Sequence, residues 1–173
     1  MKYDKDAHPD GLEPKTMNQT VRCGLTGEPP MMPSYDDTNV FSRILRDELP
    51  SYRIYETDRV LAFMDVMPRG EGHTLVIPKA KARNILDANP DDLAELIKAV
   101  QIVARASKAA FGADGITIQQ FNEGAGGQVV FHLHVHIIPR FIGVALKPHT
   151  GKMEDPQNLA RNAEMIRAAL AKA

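Results

Sequence analysis

The sequence predicts an α+β domain: an antiparallel sheet with a long helix between strands and a further helix at the C-terminus. Three observations carry this. Residues 52–55, 59–64 and 73–77 are short apolar runs rich in β-branched and aromatic side chains, joined by turn-like segments too short for a parallel crossover. Leu93, Leu96, Ile97, Val100, Ala104, Ser107 and Phe111 recur at spacings of three and four, the period of one helix face. Residues 130–140 alternate histidine with large apolar side chains, the period of a strand.

In chain order, residues 1–35 read as an irregular N-terminal arm. Pro29, Pro30 and Pro33 forbid regular structure there, and polar residues break up every apolar group. A sharper reading makes the arm a wrap around a partner subunit. Residues 36–173 form the domain. Thr38 is placed to N-cap a short helix with Val40, Phe41, Ile44 and Leu45 on one face and Pro50 beyond its end. The three strand runs follow. Asn89-Pro90-Asp91-Asp92 is a helix start, with an amide cap, proline at the first helical position and acids in the first turn; Gly112 closes that helix. Residues 116–121 alternate as a strand, a glycine-rich loop runs to Gly127, and the histidine strand comes next. Asp155-Pro156 opens a last helix with Leu159, Ala163, Ile166 and Leu170 on one face.

Composition limits the function. The 173 residues suffice for one domain with a real core, and a net charge of −1 gives no pull toward nucleic acid or anionic membrane. Cys23 is the single cysteine, which excludes an internal disulfide framework. Neither a span of about 20 apolar residues nor a signal-peptide core is present. The expected setting is the cytoplasm.

In an extended strand, His132, His134 and His136 share one face, each about 6.6–6.8 Å from the next, and Phe131, Leu133, Val135 and Ile137 line the other. Three readings compete: histidines on a solvent face, a metal site, or nucleophilic catalysis with a neutral imidazole. A metal needs a third ligand, for which Glu123 is the nearest carboxylate in sequence. Asp65 reads either as a turn residue or as an acceptor for sugar hydroxyls. His73 reads either as a hydrogen-bonded core residue or as part of the site.

The run His132-x-His134-x-His136 followed by two apolar residues, with Asn122-Glu123-Gly124-Ala125-Gly126-Gly127-Gln128 before it, resembles the histidine-triad (HIT) family of nucleotide hydrolases and transferases. The resemblance reaches back through His73-Thr74-Leu75-Val76-Ile77-Pro78-Lys79 and Phe63-Met64-Asp65-Val66-Met67-Pro68 to about Asn39, covering residues 39–140. It implies an HIT-like fold, a homodimer with strands continuing across the subunits, and reaction at the α-phosphate of purine nucleotide conjugates, either phosphoramidates or dinucleoside polyphosphates. By this resemblance His134 is the nucleophile that forms a nucleotidyl-histidine, and water then frees a nucleoside monophosphate. His132, His136 and His73 shape the phosphate site and manage the leaving-group proton. Val40, Phe41 and Ile44 wall the base pocket, with Phe63 and Val66 also at the nucleotide. Asp65 takes the ribose hydroxyls, and Asn122, Gly127 and Gln128 hold phosphate or leaving group.

Three positions depart from the family pattern. Asn39 and Ser42 stand where a zinc-bearing subset of bacterial relatives has Cys-x-x-Cys, so no metal site and no tightly bound cofactor is expected, magnesium arriving only with a polyphosphate substrate. Val129 stands where many relatives have Ser or Thr, removing a hydroxyl donor. The end of the triad looks like the dinucleoside polyphosphate hydrolases, whereas residues 41–79 look like the phosphoramidases. The rival functions are a nucleotide-binding regulator without turnover and a histidine-based metal enzyme of cupin type.

Overall fold

The computed structural model of the chain describes residues 34–148 and 152–172. The expected arm therefore lies, except for Ser34 and Tyr35, outside the described residues. The first element, α1 (Val40–Leu45), is capped by Asn39 rather than Thr38: Asn39 Oδ1 accepts the N–H groups of Phe41 and Ser42 at 3.0 and 2.9 Å. Thr38 is not available as a cap because its hydroxyl and its N–H both donate to Asp36 Oδ1. Asparagine caps at least as well as threonine.

Strands β1 (Arg53–Glu56), β2 (Val60–Met64), β3 (Thr74–Pro78), β4 (Gly115–Gln119) and β5 (Val135–Arg140) form one antiparallel sheet in the order β1-β2-β3-β5-β4. Every residue of β2 and β3 is buried, because both faces of the sheet centre are covered. Val60, Ala62, Val76, Val135 and Ile137 pack against the long helix α2 (Pro90–Phe111) through Leu96, Val100 and Val103. Leu61, Phe63, Leu75 and Ile77 pack on the opposite face against Phe41 and Ile44 of α1. Helix α3 (Pro156–Leu170) lays Leu159, Ala163 and Ile166 against Ile54, Met64 and Ala106. Asn89 and Asp155 cap these two helices as their sequences predict, and Gly112 ends α2 at φ 58°. Ile97 differs from expectation: it is 59% exposed, since the buried stripe of α2 runs through Leu96, Ala99, Val100, Val103, Ala106 and Ser107 and leaves position 97 to one side. No described helix is long and apolar enough to cross a membrane.

Two local features place the site. Gly72, in the connection from β2 to β3, has φ 74°, and a Cβ there would lie 2.4 Å from the Phe111 ring. Only glycine lets this turn, which carries Asp65 and leads into His73, close down on α2. The second feature corrects the sequence reading: the histidine strand begins at Val135, so His136 is in β5 while His132 and His134 precede it. Pairing with β3 extends from Thr74↔Ile137 to Val76↔Val135. Beyond that point the chain turns away, because the Leu133 N–H donates to Ala82 O at 2.8 Å instead of joining the ladder.

Candidate active site

A cavity of about 380 Å³ opens between α1, the ends of β2 and β3, and the loop before β5. Its size falls in the range of small-ligand pockets, roughly 300–1,000 Å³. Val40, Phe41 and Ile44 form one wall, and Phe63, Asp65, Val66 and Leu75 another; Phe121, Gly127, Val129 and Val130 form the rim, with His134 and His136 at the chemical end. The expected residues Val40, Phe41, Ile44, Phe63, Asp65, Val66, Gly127, His134 and His136 are thus brought together. Phe121, Val129 and Val130 are lining residues that the sequence did not single out as such. Val129 is 81% exposed, so an isopropyl group stands at the rim in place of a hydroxyl.

The other two expected nucleotide-binding residues, Gln128 and Asn122, are not among the lining residues. Gln128 Oε1 accepts from the Glu123 N–H (2.8 Å) and from Asn84 Nδ2 (3.2 Å), while its Nε2 donates to Arg83 O and Val130 O at 2.7 and 3.0 Å. Asn122 Oδ1 accepts the Ile85 N–H, and its amide group exchanges bonds with Gln120. Both side chains therefore brace the glycine-rich loop rather than line the cavity. Glu123, the carboxylate nearest the triad in sequence, is held by Arg83 through two bonds of 2.9 Å and by Asn84 Nδ2 at 2.6 Å. Hydrogen bonding to the Arg83 guanidinium also holds its carboxyl below the usual range. Nothing in the run of residues signals these bonds, since Arg83 and Asn84 lie far from the loop in sequence.

The four histidines form a connected set whose proton positions follow from their partners. His134 Nδ1 lies 2.6 Å from the His132 carbonyl, which can only accept, so Nδ1 carries the proton and Nε2 is the basic nitrogen of the neutral ring. The Arg69 N–H donates to His73 Nδ1 at 3.1 Å, so the proton of neutral His73 is on Nε2 and donates to His136 Nδ1, 2.9 Å away. His136 accordingly carries its own proton on Nε2. The ring centroids of His134 and His136 stand 5.0 Å apart. His73 Nδ1 is also 3.3 Å from Asp65 Oδ2, an ion pair only if the ring gains a second proton; in the neutral ring the aligned Arg69 N–H decides the role of Nδ1. Asp65 Oδ1 accepts the Met67 N–H at 2.9 Å, the turn role its sequence allows, and the residue also lines the cavity.

His132 lies behind the cavity, 1% exposed, with Nε2 2.9 Å from Pro78 O and Nδ1 bonded to the Tyr35 hydroxyl. The three triad side chains thus do not form the single ladder that an extended strand would make, because the chain joins the sheet only after His134. Burial pushes His132 down to about 4, against a smaller upward effect of its bond to Pro78 O. Unfolded, the ring titrates near 6.5, so the stability contributed by the neutral ring is complete above that pH and is lost as pH falls toward 4. The loss should reach about 3 kcal/mol, at one decade of affinity per pH unit. Denaturant unfolding followed from pH 7 to pH 4 should show it, and His132→Asn should flatten that part of the profile.

Zinc chemistry does not fit the residues at positions 39 and 42. Asn39 and Ser42 offer an amide and a hydroxyl where zinc sites use thiolates, and both are bonded to Tyr35. Among the described residues, Asp65, His73 and His136 are grouped closely enough for their donor atoms to reach one ion. His73 Nε2 and His136 Nδ1 are hydrogen-bonded to each other.

A family model described as HIT domain matches residues 46–143. A crystal structure of a Hit-like protein from Bartonella henselae, solved with an unknown ligand, superposes with a TM-score of 0.77 at 53% identity, over 79% of this chain and 99% of that one. A zinc-bound histidine triad family protein from Mycobacterium smegmatis superposes with a TM-score of 0.70 at 35% identity, over 78% and 94% of the two chains. The adenylylsulfatase HINT3 of Arabidopsis thaliana is 38% identical over 101 residues, 58% of this chain and 51% of that protein.

Proposed function

The chain belongs to the HIT family, and from that premise we propose that it cleaves purine nucleotide conjugates at the α-phosphate through a nucleotidyl intermediate on His134. The observation that carries this reading is the bonding of His134 and His136, which line the same cavity with ring centroids 5.0 Å apart: the His132 carbonyl at His134 Nδ1 leaves Nε2 basic, and His73 at His136 Nδ1 leaves an N–H at Nε2. In the first step His134 Nε2 bonds to the α-phosphorus as the bond to the leaving group breaks. With one added proton on the His73–His136 pair, held beside Asp65, His136 Nε2 gives its proton to the leaving atom while His73 Nε2 passes its own to His136 Nδ1, which leaves both rings neutral. In the second step water attacks phosphorus, the N–P bond breaks, and the water proton returns to His136. The group that served as acid becomes the base. His73, donating to His136 Nδ1, keeps the transferable proton on the outer nitrogen.

The apolar walls from Phe41, Ile44 and Phe63 support a purine as the base, and a carboxylate at Asp65 in the same lining supports a contact to the sugar hydroxyls. Gly127, at φ 90° on the rim, brings main chain to the phosphate end, where glycine-rich segments receive anions. Gln128 and Asn122 serve the phosphate by holding that loop in shape. We further propose a homodimer; β4 is an outer strand of the sheet and carries Ile118, which is 50% exposed.

Adenosine phosphoramidate, adenylyl-lysine, adenylyl sulfate and diadenosine tri- and tetraphosphate, each assayed with and without chelator, test the reading. Release of AMP from at least one, unaffected by chelator except for a polyphosphate carrying magnesium, is expected. AMP binding with no turnover of any conjugate would make the protein a regulator, and loss of all activity on removal of stoichiometric zinc would make it a metalloenzyme. Asp65→Ala should weaken ribonucleotides by about 5- to 150-fold while leaving 2′,3′-dideoxy analogues much less affected, because the lost contact is to sugar hydroxyls. Equal weakening of both in competition binding would leave Asp65 only its turn role at Met67.

A further inference from the structure

Tyr35, the last residue before the domain in the sequence reading, has its hydroxyl at the centre of a cluster joining α1, the end of β3 and the triad. The oxygen is 2.5 Å from Ser42 Oγ and 3.1 Å from Asn39 Nδ2, and it is bonded to His132 Nδ1. The proton positions can be read in order. Asn39 Oδ1 accepts two N–H groups as the cap of α1, so the amide orientation is determined and its NH₂ faces Ser42 and Tyr35. On the other side, His132 Nε2 faces the Pro78 carbonyl and must donate, leaving Nδ1 as an acceptor. The Tyr35 O–H therefore donates to His132 Nδ1, and Ser42, accepting from Asn39, donates to Tyr35.

This chain ends on the candidate nucleophile. The His132 carbonyl receives the His134 Nδ1 proton, and no β-ladder holds that peptide, since β5 begins only at Val135. It is held instead by the bond from the Leu133 N–H to Ala82 O and by the His132 ring, which is anchored at one nitrogen by Pro78 and at the other by Tyr35. We infer that Tyr35 is a positioning residue for the reaction: by locking the His132 ring it holds the carbonyl that keeps His134 in the Nδ1–H tautomer with Nε2 basic. The inference rests on His134 being the nucleophile, but the tautomer it concerns can be read without substrate.

Tyr35→Phe removes the hydroxyl and keeps the ring, which stands edge-on to His132 with centroids 5.6 Å apart. Nitrogen-15 spectra of histidine-labelled full-length protein should show His132 as Nε2–H and His134 as Nδ1–H in the wild type. In Tyr35→Phe, His134 should become a mixture of tautomers, and kcat should fall about tenfold with KM within about twofold, the scale of one hydrogen bond. Ser42→Ala, which removes the donor to the Tyr35 oxygen, should shift both readouts the same way by less, and it decides the matter if the phenylalanine variant does not fold. An unchanged His134 tautomer, whatever happens to kcat, would reduce Tyr35 to a structural role. A shifted tautomer with kcat intact would overturn the inference as well, as would a wild-type His132 protonated on Nδ1. Failure of the catalytic reading looks different: no conjugate is turned over by the wild type, while the spectra still report whether Tyr35 governs the tautomer.

Discussion

Turnover should disappear in His134→Ala while nucleoside monophosphate binding stays within about tenfold. The asymmetry follows from what the ring does. As a ligand contact it contributes one hydrogen bond, worth roughly 0.5–1.5 kcal/mol, among many apolar contacts from Phe41, Ile44 and Phe63. In the proposed reaction it supplies the bond that divides one substitution into two, and its neighbours are poorly suited to replace it: His136 presents an N–H rather than a lone pair, and His132 is buried and bonded at both nitrogens. Acid quench during turnover, followed by mass spectrometry under conditions that preserve phosphoramidate bonds, should find a nucleotidyl adduct on the peptide containing His134. An adduct on another histidine, or an active His134→Ala, would show the nucleophile to be misassigned.

His136→Ala should slow the reaction by about 10²–10⁴-fold without removing the path, the usual loss for a general acid. The size of the loss should depend on the leaving group. A poorly acidic amine or alcohol cannot depart without the His136 proton, whereas a nitrophenolate can, so the variant should approach the wild type on a nucleotidyl nitrophenyl ester. A uniform loss across leaving groups of different basicity, measured as kcat/KM, would mean that His136 contributes by shaping the phosphate site rather than by transferring a proton. The hydrogen bond from His73 Nε2 assigns the proton to the outer nitrogen of His136, which alternation along a strand could not do.

Elements and their order were legible in the sequence because helix and strand periods are local properties. The caps at Asn89 and Asp155, the buried β2 and β3, and the stripe of α3 all follow from neighbouring residues. The cap of α1 shows where such reasoning stops. Thr38 and Asn39 are both suitable caps, and the choice went to Asn39 because Asp36 occupies Thr38. The lining of the cavity was legible through the family resemblance rather than through period: Val40, Phe41 and Ile44 were expected at the base pocket and Phe63, Asp65 and Val66 at the nucleotide, and all six line it.

By itself, then, the sequence determined an α+β domain, the positions of its helices and central strands, and the family whose triad it carries. Only the tertiary structure decided which partners the four histidines bond, and that Asn122 and Gln128 brace the glycine-rich loop. Those outcomes depend on hydrogen-bond partners remote in sequence: Tyr35 and Pro78 on His132, His73 on His136, Ala82 on Leu133, Arg83 and Asn84 on the loop. A residue type states which protons and lone pairs it can offer, but a buried polar group must be paired, and the partner that folding brings to it settles which of them remain for chemistry.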